Sequence, residues 1–294
     1  MDANEQHCAA YTRYLRSRNR SANTIENYLG AIEGLVDFHH EPDVMTLAQR
    51  DVEEFIIDLA DTRSAGTAAN RFRALRAFFN WAVSEEIIAV SPMAKMRTPA
   101  VEDRPPAVLP DDDLRRLFKA CSGRTFIDRR DTAILYVLCE PGSPRSSELA
   151  GMGLDDLDMR RDLITLTGKG RKTRMIPFGP KTGQALDRYL RERRKHRLAK
   201  LPNLWLGTRG KPLGRSGVQD IIDRLGHQAG LGHLFPHQLR HTAASDWFDR
   251  GGSETEAMDL FGWSSRTMPQ VYGRSSRIQR AHRASRRHSP TDRL

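Results

Sequence analysis

The sequence predicts a mainly α protein with a small antiparallel β-sheet: a helical N-terminal unit over 1–98, a linker over 99–110 and an α+β unit over 111–294. Three observations carry this. Apolar residues recur at steps of three and four through the first hundred residues, the period of a helix face. Pro99, Pro105, Pro106 and Pro110 then stiffen a polar stretch with no apolar period, as a linker requires. Beyond it, two short apolar runs flank a glycine-bracketed loop, the mark of a hairpin, between further helical segments.

In the first unit a leading helix is expected over 5–17. Asn23-x-x-Glu26 reads as a capping box ahead of Ile25, Tyr28, Leu29, Ile32, Leu35 and Val36. A second start is Asp51-x-x-Glu54, before Phe55, Ile56 and Leu59. From Thr67 onward Phe72, Leu75, Phe79 and Val83 keep helical spacing, so a long amphipathic helix should end near Glu86. Ser91-Pro92 opens a last short turn.

In the second unit helices are expected over 111–120 and 129–138, with a turn of helix beginning at Ser146. Strands at 163–166 and 174–177 flank Thr167-Gly168-Lys169-Gly170-Arg171. A strongly basic helix covers about 181–199, and others follow near 218–229, 236–250 and 254–261, the last capped by Ser253-x-x-Glu256.

Composition removes several function classes. No apolar run approaches bilayer length, and the start MDANEQHCAAYTRY lacks the basic-then-apolar plan of a signal peptide, so a cytoplasmic chain is expected. Cys8, Cys121 and Cys139 are odd in number and form no CxxC, and the histidines show no HExxH; neither a disulfide framework nor a metal is expected. The net charge of +10 favours a polyanionic partner. Residues 1–98 carry 11 Lys+Arg against 14 Asp+Glu, leaving 36 against 23 for 99–294, so the second unit should supply most of the electrostatics.

The chemistry-bearing residues lie in four places. His237-Gln238-Leu239-Arg240-His241 puts His237 and Arg240 on one helix face, where a phosphate would fit both. Arg145 stands at a helix start in Arg145-Ser146-Ser147-Glu148-Leu149, Lys169 tips the hairpin loop, and Tyr272 lies in a short polar segment.

In order and spacing, RSSEL, TGKGRKTRMIPF, HQLRH, the LFGW segment ending at Trp263, and Tyr272 nine residues later resemble the tyrosine recombinase, or phage integrase, family. TRSAGTAANRFRALRAFFNWA in the first unit looks like that family's core-binding domain, so the resemblance to a simple two-domain member spans nearly the whole chain. It implies a core-binding domain over 1–98 and a catalytic domain from 111 onward.

The resemblance implies that Tyr272 attacks a DNA phosphodiester, forming a 3′-phosphotyrosine and releasing a 5′-hydroxyl, with no cofactor, metal or ATP. Arg145 and Arg240 would clamp the non-bridging oxygens, since the guanidinium fork matches phosphate and stays charged. Lys169 would protonate the leaving oxygen, and His237 would assist the phenol, whose free pKa of about 10 calls for help at neutral pH. Trp263 stands where many relatives carry histidine; an indole donates one hydrogen bond and cannot shuttle a proton, so positioning and packing are expected of it.

Further DNA contacts are expected from Arg71, Arg73, Lys95, Arg97, Arg171, Lys172 and Arg174, with Arg63 and Arg76 completing one positive face on the first unit. Expected partners are double-stranded DNA carrying a specific recombination site and three further copies of this chain on it, with room for an accessory directionality or bending protein. The location implied is cytoplasmic and nucleoid-associated, and no arm-binding domain is expected ahead of the helical unit. After Tyr272, seven arginines and one aspartate make a basic tail, divided between DNA contact and subunit contact.

Two rival readings stay open. One is a type IB topoisomerase-like relaxase acting as a monomer. The other is a DNA-binding protein of this fold with impaired catalysis, because Glu140-Pro141-Gly142-Ser143-Pro144 ahead of Arg145 is one residue longer than the family pattern and holds two prolines, predicting a rigid or displaced approach.

Overall fold

A computed structural model describes residues 2–40, 42–101, 107–168, 170, 172–208, 210–265, 267–272 and 285, without the side chains of 270–272. Lys169, Arg171, the middle of the linker at 102–106 and the basic tail, Lys- and Arg-bearing segments on which sequence expectations fell, lie outside the described residues or, at 285, contribute a single position. The chain divides into two compact units, Met1–Arg104 and Pro105–Leu294.

The first unit packs α1 (Ala3–Ser17), α2 (Ala22–Phe38), α3 (Gln49–Thr62) and α4 (Ala65–Ser84), with a short 3-10 turn at Val44–Thr46. The predicted caps need correction. Ser21, not Asn23, caps α2, its Oγ accepting the Thr24 N–H. In α3, Asp51 is the third helical residue and its carboxylate reaches back to the Ala48 N–H, so the helix starts two residues before the predicted cap. On α4, Ala68, Phe72, Leu75, Phe79 and Ala82 are buried at three- and four-residue steps against α2 and α3. Tyr11 joins α1 to that core, its ring 4.9 Å from Trp81 and 5.2 Å from Phe78. Each such buried ring contributes roughly 1.5–3 kcal/mol.

The second unit begins with α5 (Asp111–Ala120) and α6 (Phe126–Cys139), the latter starting three residues earlier than expected because Thr125 and Asp128 form a capping box. Next come α7 (Ser146–Gly151), strands β1 (Leu157–Asp158), β2 (Leu163–Thr167) and β3 (Thr173–Pro177), then α8 (Pro180–Lys195). The hairpin is confirmed: β2 and β3 pair antiparallel from Leu163–Pro177 to Thr167–Thr173, and the unpredicted two-residue β1 adds to the other edge of β2. Ile164, Leu166 and Ile176 bury one sheet face in a core with Leu135, Leu138 and Leu149.

The chain closes with α9 (Arg215–Gln228), α10 (Pro236–Asp249), α11 (Glu254–Phe261) and α12 (Thr267–Tyr272). Glycine has a conformational reason at Gly262, whose left-handed backbone (φ 61°, ψ 47°) ends α11. The described end of the linker is not a free spacer. Leu109 is buried in the second unit's core, its N–H donating to Thr242 Oγ1 on α10 at 3.0 Å, and Gln238 Nε2 donates to the Ala107 carbonyl at 3.1 Å. No helix among the described residues is long and apolar enough to cross a membrane.

Candidate active site

The site forms where the loop between α6 and α7 meets the N-terminus of α10 and the C-terminus of α11. Ser143 turns back on Glu140, its N–H donating to the Glu140 carbonyl at 2.9 Å, and Arg145 takes the N-cap position of α7. Gly142 has φ +87°, and a Cβ there would lie 2.6 Å from Ile176 Cγ2 and 2.9 Å from the Leu260 carbonyl, so no larger residue fits this turn. The proline-flanked approach is therefore a packed turn between β3 and α11 that sets the path to Arg145.

Glu148 holds Arg145. Its Oε1 accepts from Arg145 Nη1 at 2.7 Å, and its Oε2 accepts from the Arg145 backbone N–H at 2.9 Å. The Arg145 side chain remains 46% exposed while that of Glu148 is 3% exposed, so the guanidinium faces solvent on a buried carboxylate. Burial alone would raise the pKa of Glu148; the hydrogen bond from Arg174, the Arg145 N–H, the charge of Arg174 and the hydrogen bond from the Arg145 side chain outweigh it and hold the group at about 2. Sequence reasoning missed this residue. The signal was an acid three positions after an arginine at a helix start, the spacing at which a side chain reaches back to the cap.

Arg240 lies under Arg145's loop. It is 2% exposed, donates through Nη1 to the Ser143 carbonyl and through Nη2 to the Phe261 carbonyl, and rests on the Phe261 ring 5.2 Å from its centroid. His237, one turn earlier on α10, keeps an exposed edge. Burial of the rest of the ring, then the nearby Arg240 and Arg145 guanidiniums, lowers its pKa below the ordinary histidine value. Arg145, His237 and Arg240 thus lie close together, His237 and Arg240 on the one face of α10 that their spacing predicted.

Trp263 is 6% exposed and stacks on Phe261, with centroids 4.9 Å apart and planes at 14°, and on Phe248 at 6.4 Å. It belongs to a small apolar cluster of α10 and α11 behind the site. The backbone of Tyr272 ends α12, which packs against α10 and α11. An open groove of about 990 Å³ runs past Arg145, Gly168, Lys172, Asp259 and Trp263.

Among the expected DNA contacts, Arg73, Lys95, Arg97 and Lys172 are exposed. Arg71 is half-buried and donates to the Asn27 carbonyl at 2.8 Å. Arg76 lies over the Phe72 ring and donates to the Met96 carbonyl, so it braces the first unit. Arg174 departs most from expectation. Its side chain is 12% exposed and turned inward onto Glu148, because that buried carboxylate needs a second cation.

Residues 107–277 match the phage integrase family, and residues 8–89 match the phage integrase N-terminal SAM-like domain. Among curated relatives, the tyrosine recombinase XerC of Corynebacterium efficiens is 35% identical over 212 residues, covering 71% of this chain and 67% of that protein. The tyrosine recombinase XerC of Bacillus licheniformis is 32% identical over 272 residues, covering 89% of each. Among solved structures, a lambda integrase dimer bound to a COC′ core site shares the fold at a TM-score of 0.72 and 18% identity, over 91% of this chain and 94% of that one. The Tn1549 transposon integrase in complex with transposon right end DNA does so at 0.72 and 20% identity, over 96% and 99%.

Proposed function

Since the chain belongs to the phage integrase family and is a tyrosine-type site-specific DNA recombinase, we propose that it cuts and rejoins duplex DNA through a covalent link to Tyr272. The phenolic oxygen forms a bond to the scissile phosphorus while the bond to the 5′-oxygen breaks. The phenol's proton passes to His237, and Lys169 supplies a proton to the departing oxygen. The phosphodiester energy stays in the phosphotyrosine, so rejoining needs no nucleotide cofactor. Arg145 and Arg240 bind the non-bridging oxygens and meet the charge of the pentacoordinate state, work that a metal ion does in other phosphoryl transfers.

The observation that carries this reading is the convergence of two guanidiniums on one loop, with His237, its pKa lowered by burial and by those two charges, beside them. A depressed imidazole is neutral at pH 7 and so able to accept a proton. The packed turn before Arg145 supports intact catalysis over the binding-only alternative. Double-stranded DNA with a specific site is the substrate, on which four copies assemble and an accessory bending protein has a place; the working location is the nucleoid. Exposed Arg73, Lys95, Arg97 and Lys172 contact phosphates, and Arg71 and Arg171 add to that set.

Incubation with nicked duplexes bearing the recognition site tests this by denaturing gel. A covalent adduct that vanishes in Tyr272→Phe is expected. An adduct that persists in that variant would remove Tyr272 as nucleophile, and relaxation of plasmids lacking the site would favour the topoisomerase-like rival.

A further inference from the structure

Arg174 was expected at the DNA, yet its guanidinium spends its donors inside the protein. Nη2 donates to Glu148 Oε2 at 2.9 Å and to the Gly142 carbonyl at 3.4 Å, and Nε donates to the Leu260 carbonyl at 2.8 Å. These acceptors come from α7, from the turn before Arg145, and from the last turn of α11. A Cβ on Gly262 would stand 3.1 Å from Arg174 Cδ and 3.2 Å from Nη1, so the side chain is packed along its length. One side chain on β3 thus grips three segments that build the candidate site.

We propose that Arg174 is a positioning residue for strand cleavage: it fixes Glu148, and through it the Arg145 clamp, without touching DNA. The proposal rests on the recombinase reading above. Glu148 divides its charge between two guanidiniums, Arg145 on one oxygen and Arg174 on the other. With both present the cluster carries a net charge of +1. Without Arg174 the carboxylate has Arg145 as its remaining partner in this cluster, which brings the pair to zero and takes from Arg145 the charge it offers a phosphate. Arg174 also sets direction. A planar guanidinium can serve a carboxylate and two carbonyls at fixed angles, whereas an ammonium on a flexible stem keeps the charge without that fork.

Arg174→Gln and Arg174→Lys separate these effects. Covalent adduct formation is timed in single turnover at saturating nicked DNA, and affinity is followed against salt. Arg174→Gln should slow adduct formation at least tenfold, and Arg174→Lys should recover part of the loss. Both should keep the wild-type slope of log affinity against log salt, because no phosphate contact is removed. A second substrate carries a neutral methylphosphonate at the cleavage position, which leaves less charge for Arg145 to offset. On it the ratio of wild-type to Arg174→Gln rates should shrink.

A slope reduced by about 0.9 with an unchanged saturating rate would make Arg174 a phosphate contact and overturn the proposal. A ratio that stays the same on the neutral substrate would reduce it to general structural support. If wild type forms no adduct, the recombinase reading fails and takes the proposal with it; if wild type reacts and Arg174→Gln matches it, the proposal alone fails.

Discussion

Replacing Glu148 by glutamine should destabilise the second unit by an amount that depends on pH. An ordinary glutamate titrates at 4.5 and Glu148 is held at about 2. That gap of roughly 2.5 units, at about 1.36 kcal/mol each, makes the ionised carboxylate worth about 3 kcal/mol at pH 7. Because the folded value lies below the unfolded one, this stabilisation is complete above pH 4.5 and is lost as pH falls toward 2. At pH 3 roughly half should remain. Glutamine is nearly isosteric, but its amide would point N–H donors at one of the two guanidiniums, so the neutral variant does not recover the loss. Of the four tryptophans, Trp81 lies in the first unit and Trp205, Trp247 and Trp263 in the second, so urea unfolding by fluorescence in a Trp81→Phe background reports on the second unit. The reasoning is refuted if Glu148→Gln matches its parent at pH 7, or if the deficit is the same at pH 7 and pH 3.

Further outcomes follow from the same site. An NMR titration of His237 in the free protein should give a pKa below 6.5, and Arg145→Gln should move it upward by removing a repelling charge; the DNA-concentration-limited cleavage rate should fall as pH drops through that pKa. Ser143 Oγ is buried without a hydrogen-bond partner among the described residues, so Ser143→Ala should leave stability unchanged or raise it by up to about 1 kcal/mol, measured by thermal melting. Trp263→Phe should keep adduct formation within about tenfold of wild type, whereas Trp263→Ala should cost about 3–5 kcal/mol through the cavity left beside Phe261 and Phe248. A Trp263→Phe variant with sound folding and no cleavage would show that the indole N–H is needed.

Much of this architecture was legible in the residues. Helices α5 and α11 start and stop where the pattern put them, since Ser253 and Glu256 form their box and Gly262 turns left-handed. The cap of α2 was misplaced by two residues because Ser21, Asn23 and Thr24 are all competent caps, and only the extended backbone at Ser21 decides among them; that of α3 was misplaced by three, because the cap is Ala48, which has no capping side chain, and Asp51 reaches back to it from the third helical position. No helix was predicted at α12, only a short polar segment around Tyr272. Pro269 looks like a breaker, yet at the third helical position its missing N–H has no helical acceptor to lose. Within the site, the shared face of His237 and Arg240 was visible from their spacing, whereas the place of Arg145 beside them was implied by the family resemblance alone. The inward turn of Arg174 was not. Strand alternation tells which face a residue is on, and it does not tell that a buried acid waits there.

The guanidiniums at this site are aimed largely by peptide carbonyls: those of Gly142 and Leu260 for Arg174, of Ser143 and Phe261 for Arg240, and of Gly262 for Arg145 at 3.3 Å. Such a mount is indifferent to what side chains stand at Ser143 or Leu260 and sensitive to how the chain is threaded past them. Point substitutions there should be forgiven more readily than a single-residue insertion or deletion, which would rotate every carbonyl out of reach at once.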